Sequence, residues 1–447
     1  MATLTASRAA ANHYLGAIER AERDRAHEPA WLRDVRRRAA DAFGRMGIPT
    51  TRDEEWRATN VAPIADTPFV SAPPATVSSE EVSRFLVPGL AGPLLVFIDG
   101  RYAAGLSAPG VLAAGLTVST IGDAIERDPE SLKPYLARHS DSAVHPFAAL
   151  NTALFEDGAL VVVADNTVAG LPVQLVFLST VTPAPAISAP RVLVVLGRNS
   201  QAKLVETFGS LGPARGFTNA VTEFVAGDGS VLEHCRIQRE SESAFHIGHT
   251  AIHLGRSSRS SSHAFAFGGR ISRHDAVAVL GDEGADCTLN GLYLAGGSQL
   301  IDNHTEIDHA RPHGTSHELY KGILGGRARG VFNGRIRVRP DAQKTDAKQT
   351  NKALLLSDEA QVNTKPQLEI FANDVRCTHG ATVGQLSQDA LFYLRARGIG
   401  LDDARRLLVR AFAADVTGRI PIEPVRAELD RLLASRLPSL LGEEGPR

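Results

Sequence analysis

Residues 330–340 read GVFNGRIRVRP. On an extended backbone Ile336 and Val338 fall on one face while Arg335, Arg337 and Arg339 fall on the other, so the period is two and the segment reads as a half-buried strand. The same alternation recurs in AQVNTKPQLEIFAND (360–374), where Leu368 and Ile370 interleave with Gln367 and Glu369. Further back, ALVVVAD (159–165), VQLVFLST (173–180), RVLVVLG (191–197) and AKLVETF (202–208) are short and rich in β-branched residues, with Gly, Pro, Asn or Asp between such runs. No amphipathic helix of useful length interrupts residues 159–385. A βα alternation would be needed for a doubly wound sheet, so that class is disfavoured. Sandwich, barrel and solenoid remain. The region is long for one sandwich, and a β-helix lengthens by adding rungs without a larger globular core, although no clean sequence repeat marks a rung.

Helical texture flanks this region. Residues 1 to about 45 are rich in Ala, Arg and Glu, with Tyr14, Leu15 and Ile18, then Trp31, Leu32 and Val35, at helical spacing. After residue 385, SQDALFYLRARG has Ser387 as N-cap, Ala390, Leu391 and Leu394 as its apolar stripe, and Gly398 as its stop. LDDARRLLVRAFAADV follows, with Asp402 as N-cap and Leu407, Leu408, Ala411 and Phe412 on one face; a third helix starts after Pro421. The domains are therefore 1–158 (helical and mixed), 159–385 (β) and 386–447 (helical).

The 447 residues are 43% hydrophobic and 22% charged with a formal net charge of −2, which gives no electrostatic case for a nucleic-acid or membrane-surface binder. No stretch is apolar enough to span a bilayer, and the N-terminus lacks a secretory signal. Cys235, Cys287 and Cys377 are odd in number and far apart, which fits a reducing cytoplasm and excludes a disulfide framework. Without a CxxC the chain is short of ligands for a cluster of its own. There is no P-loop and no nucleophile elbow.

Two segments carry candidate chemistry. IDNHTEIDHARPHGTSHELYKG (301–322) spaces His309, His313 and His317 four apart, a metal-binding spacing on a helix, but Pro312 and Gly314 break that helix and an exposed polar turn competes. RCTHGATVGQLSQDALFYLRAR (376–397) puts Cys377 and His379 two apart, on one face of a strand, where a thiolate and an imidazole could meet one iron or one partner surface.

DEEWRATNVAPI, HPFAALNTALFEDG, TSHELYKGIL, FNGRIRVRPDAQKTDAKQTNKALLLS and CTHGATVGQLSQDALFYLRARGI, in this order, resemble the SufB/SufD family of iron–sulfur cluster assembly scaffolds. Gly380, where SufB has an acidic residue, and the shortage of thiols are similar to the SufD side; a SufB-like paralogue is the alternative. The resemblance implies a mainly β fold, a central right-handed parallel β-helix between N-terminal and C-terminal helical domains. It implies a non-enzymatic scaffold with two partners: SufB, paired through the β-helix, and the SufC ATPase, which would account for the missing P-loop. SufC would dock on the C-terminal helices, through Leu391, Phe392, Leu394, Leu408 and Phe412. The resemblance gives His379 a part in nascent-cluster assembly, with Cys377 beside it, on a transient cluster shared with SufB. Flavin in the assembled complex and a homodimer are further implications. Two readings compete: a metal-dependent β-helix enzyme using residues 302–318, and a platform that recruits SufC while SufB does all the chemistry.

Overall fold

Between Gly158 and Gly384 the chain passes back and forth between two sheets, one of 11 strands and one of 10. The Thr315–Leu324 strand pairs in parallel, residue for residue, with Asp286–Ala295 behind it and Asp346–Leu355 ahead. The intervening strands Leu300–His309 and Arg329–Val338 pair with each other in the opposite sheet. Sequence neighbours thus alternate sheets while strands two apart hydrogen-bond, which is a parallel β-helix of about eight turns. The computed structural model describes residues 2–442; Met1 and 443–447, at the outer ends of the first and last expected domains, lie outside the described residues. Among the described residues no helix is long and apolar enough to cross a membrane.

One set of turns explains how the rungs stay in register without a sequence repeat. Asn199, Gly229, Ser257, Gly284, His313 and Lys344 each take a positive φ at successive corners. The N–H of each donates to a carbonyl of the next corner, as in Gly284 to Pro312 O (3.1 Å) and His313 to Gln343 O (2.9 Å). Any residue tolerating the left-handed region serves, so the corner repeats in geometry but not in letters. Inside, Phe97, Phe177 and Phe208 stack across three neighbouring strands at 5.0 Å centroid spacing.

The sheets do not begin at residue 159. Leu94–Ile98 extends one in parallel from Val173–Ser179, and Leu116–Thr120 extends the other antiparallel to Gly158–Val163. The N-terminal helices lie on the outer face of the first sheet, where Tyr14, Phe43, Trp56 and Phe147 pack against Phe217, Phe245 and Ile271. The Leu401–Thr417 and Glu423–Leu440 helices cover the outer face of the second, where Val409, Val416, Leu429 and Leu433 meet Cys235, Phe265 and Leu292. Strands covered on both faces, such as Val173–Ser179, are buried throughout and lose the alternation; Arg329–Val338 keeps it, with Ile336 and Val338 fully buried.

The C-terminal helices depart from the expected pattern in two respects, a cap and a helix face. Ser387 caps its helix by accepting from the N–H of Ala390 (3.2 Å), and Gly398 takes a φ of +85° just past its end. The next helix, however, is capped by Gly400, with Asp402 inside the first turn. Its buried side is Ala404, Val409, Ala413 and Val416, whereas Leu407 is 46% exposed and Ala411 faces solvent. Val409, Ala413 and Val416 fill the apolar cluster over the second sheet, with Phe412 packed partly against it. Ser387→Ala is expected to cost about 1 kcal/mol, read as earlier loss of amide-exchange protection in Gln388–Arg395 and unchanged protection in the solenoid.

Candidate functional site at the open end of the solenoid

Arg376–Gly384 is the last strand of the second sheet and Gln361–Ile370 the last of the first, so each has a neighbour on one side only. An edge strand offers unpaired N–H and C=O groups to any further strand. Gln361–Ile370 carries Lys365 and Pro366, residues that discourage such pairing; Arg376–Gly384 has neither. Phe371 and Val383 are 58% and 47% exposed at this end.

Cys377 and His379 both lie on that unprotected strand. Cys377 is in register with Ala347 and half-buried against a cluster that includes Ile336, Val338 and Ala372. Its side chain therefore turns toward the solenoid interior. Burial and the nearby Asp346 carboxylate push the thiol pKa up, so in the free chain it is held as the neutral thiol. His379, two residues on, shares that side and is exposed. The two donors sit on one face, and nothing further in the solenoid extends over them.

The other two cysteines are apart from this site. Cys235 is buried under the C-terminal helices and Cys287 is in the solenoid interior, and burial raises the pKa of each. The histidine-rich segment also resolves differently from a helical metal site. His309 ends a strand and is buried, with Nε2 against Ser316 Oγ (2.9 Å). His313 is a corner residue with φ +62°, and His317 lies on the following strand beside Thr288 and Lys348. A strand, a corner and a second strand cannot present the four-residue spacing on one face, so His309, His313 and His317 are not drawn together. Among the described residues no three His, Cys, Asp or Glu side chains are grouped to hold a metal.

The remaining members of that segment join the N-terminal lobe to the solenoid. His304 Nε2 lies 3.1 Å from Asp302 Oδ1 and its Nδ1 3.4 Å from Glu55 Oε2. Burial alone would lower its pKa, but the two carboxylates outweigh it and hold His304 near 9. Glu55 also accepts from Arg335 (2.9 Å) and Asn333 (3.0 Å). DEEW and FNGR thus meet as one polar junction.

Of the helical residues singled out for docking, Leu391 is buried beside Leu355 and Leu356, and Phe412 is half-buried with the Lys321 ammonium 4.2 Å from its ring centre. Leu394 and Leu408 are partly buried, and Phe392 is 75% exposed. Tyr393, Leu401 and Leu407 join Phe392 as exposed apolar groups on the same two helices.

Alternation could not have disclosed a row of polar side chains inside the solenoid. Glu240 pairs with His246 (2.6 Å), Thr222 donates to Glu206 (2.9 Å), Thr250 meets His274 (2.9 Å), and Gln349 donates to Glu318 (2.8 Å).

Comparison with known proteins accords with this architecture. Residues 178–412 match the SUF system FeS cluster assembly SufBD core domain, and residues 11–175 match the SufBD protein N-terminal region. An iron–sulfur cluster assembly SufBD family protein of Synechocystis is 35% identical over 92% of each chain. The iron–sulfur cluster assembly protein SufD of Escherichia coli is 31% identical over 88% of this chain and 90% of its own. A β-helix between helical lobes, ending in an open edge that carries the Cys-x-His-Gly motif, and matched by both domain models along most of its length, places this chain in the SufBD family of iron–sulfur cluster assembly proteins.

Proposed function

We propose that this chain is the SufD-type, non-catalytic scaffold of a SufB–SufC–SufD complex, in which His379 and Cys377 form one half of a site completed across an interface. The observation that carries the reading is the placement of His379, exposed on the unprotected last strand of the solenoid. A chain with too few ligands serves a cluster when the remaining donors arrive on a partner strand. Here SufB is that partner, and the cluster is cargo shared with it. The same edge would accept a second copy of this chain as a homodimer.

SufC supplies ATP hydrolysis and docks on Phe392, Tyr393, Leu401 and Leu407, the apolar groups that the C-terminal helices leave uncovered. Because those helices follow directly on the last strand, their movement reaches His379 through a short connection. Differential binding of SufC to two arrangements of the helices would shift the interface between open and closed forms. Flavin belongs to this reading only as a group of the assembled complex, with no residue of this chain assigned to it; FGGR and LGGRARG are corners between strands. A cytoplasmic location fits three free cysteines.

The test is anaerobic cluster maturation by the reconstituted complex with His379→Ala. A drop of at least about tenfold is expected, as for loss of a metal-site group, with SufC and SufB still bound. Normal maturation would remove His379 from the site. Substituting Cys377 separately distinguishes a working thiol from a packed one, and a complex in which neither change matters would leave this chain a recruiting platform only.

A further inference from the structure

Gln349 is the strand neighbour of His379, directly across in the parallel register. Side chains of register partners project to the same side about 4.8 Å apart, so Gln349 lies immediately inside His379. It is buried, and its Nε2 donates to Glu318 Oε2 (2.8 Å), while Thr305 Oγ1 donates to the other Glu318 oxygen. Above about pH 7 Glu318 is ionised and accepts only, so the amide is oriented with nitrogen toward Glu318 and oxygen away from it. That oxygen, Gln349 Oε1, is buried and has no hydrogen-bond partner. Space for the amide exists because residue 334 is glycine: a Cβ there would come within 2.3 Å of Gln349 Nε2. Gly334 belongs to the same FNGR segment whose Asn333 and Arg335 face the N-terminal lobe on the other side of the sheet.

We propose that Gln349 is a positioning residue for His379: rotation of the exposed imidazole lets one ring N–H donate to Gln349 Oε1. The unpaired oxygen supplies the drive, since leaving a buried acceptor unmatched forfeits the hydrogen bond it would make with water. With one nitrogen held as a donor to the interior, the other keeps its lone pair and faces the open edge. Histidines that bind metals are commonly set in this way, the far N–H being given to a fixed acceptor that selects tautomer and ring orientation. Glu318 and Gly334 act one step further back, by fixing the direction of the amide. The inference rests on the reading of His379 as a cluster-site group, but its first test does not.

The test uses the full chain, labelled with ¹⁵N-histidine, without iron or partner, at a pH where the ring is neutral; His379→Gln assigns the resonance. A single dominant tautomer at His379 is expected in the parent. Gln349→Met, which keeps length and loses the acceptor, should turn it into a mixture, with at least a threefold change in the tautomer ratio. Gln349→Asn, which withdraws the amide by one methylene, gives the same readout should Gln349→Met fail to fold. An unchanged ratio in a folded variant overturns the proposal. Cluster maturation by the complex is then measured with the same variant and should fall about tenfold. A changed tautomer with unimpaired maturation would leave Gln349 as the orienting group and overturn instead the role of His379 in assembly.

Discussion

Glu223→Ala is expected to destabilise the chain by about 3–5 kcal/mol, the cost of leaving a buried charge without its partner. Glu223 and Arg191 are completely buried and ion-paired. Burial opposes the charged carboxylate, but Arg191 and the N–H groups of Ala137 and His139 prevail and hold its pKa below the usual range. The same carboxylate accepts from Ser140 N (3.1 Å), while Arg191 donates to Asn151 (3.1 Å), Thr152 (3.0 Å) and the Ser140 hydroxyl (3.1 Å). This one pair therefore ties the 137–152 segment to the outer face of the first sheet. Alanine would strand the guanidinium and leave three N–H groups without an acceptor. The measurement is the urea midpoint, together with amide-exchange protection across 137–152, which should fall first. A loss below about 1 kcal/mol would mean that the pair contributes little beyond its own desolvation. Replacing both partners with apolar residues of similar volume should recover only part of the loss: no charge is then left buried alone, but the N–H groups of Ala137, His139 and Ser140 still lack their acceptor.

Glu318→Gln is expected to stabilise the chain at pH 8 and to do little at pH 4. Burial pushes the Glu318 pKa up to about 7, against hydrogen bonds from Thr305 and Gln349 that favour the anion. A carboxyl whose pKa is raised by folding contributes stability that is fully present below its unfolded value, about 4.5, and lost as the pH climbs through about 7. At about 1.4 kcal/mol per pH unit the difference reaches about 3 kcal/mol above pH 7. Glutamine resembles the neutral acid and can still accept from Gln349 while giving its own N–H to Thr305. The quantity to follow is the stability difference between variant and parent from pH 4 to 8, because the other titrating groups cancel in it. A difference that is flat with pH would place the Glu318 pKa near its ordinary value. In that case Glu318 would be a permanent anion behind Gln349, and its hold on the amide would not weaken on mild acidification.

Much of the architecture is legible in the chain itself. Period-two alternation in GVFNGRIRVRP and the missing crossover helices led to strands stacked without helices between them. Ser387 and Gly398 marked a helix correctly because capping is decided by neighbouring backbone atoms. Asp402 was misplaced by two residues because the helix starts after Gly400, and of the face Leu407, Leu408, Ala411 and Phe412 only Leu408 and Phe412 turn partly inward, because Val409, Ala413 and Val416 take the place against the second sheet. His309, His313 and His317 looked like a set because spacing was counted along a helix, whereas the corner at His313 sends the flanking strands into different sheets.

What the sequence determined by itself is therefore the local part: strand faces, helix caps, a motif pairing Cys377 with His379, and the likeness to the SufB/SufD family. Tertiary structure alone decided which of these faces is left open. His379 is exposed because no further rung covers the Arg376–Gly384 strand, and Gln349, Glu318 and Gly334 meet behind it because the solenoid brings residues about 15 and 30 positions apart to one interior point. Alternation tells inside from outside on each strand, but the pairing of one interior side chain with another is set by rung length and corner geometry, which involve the whole coil at once.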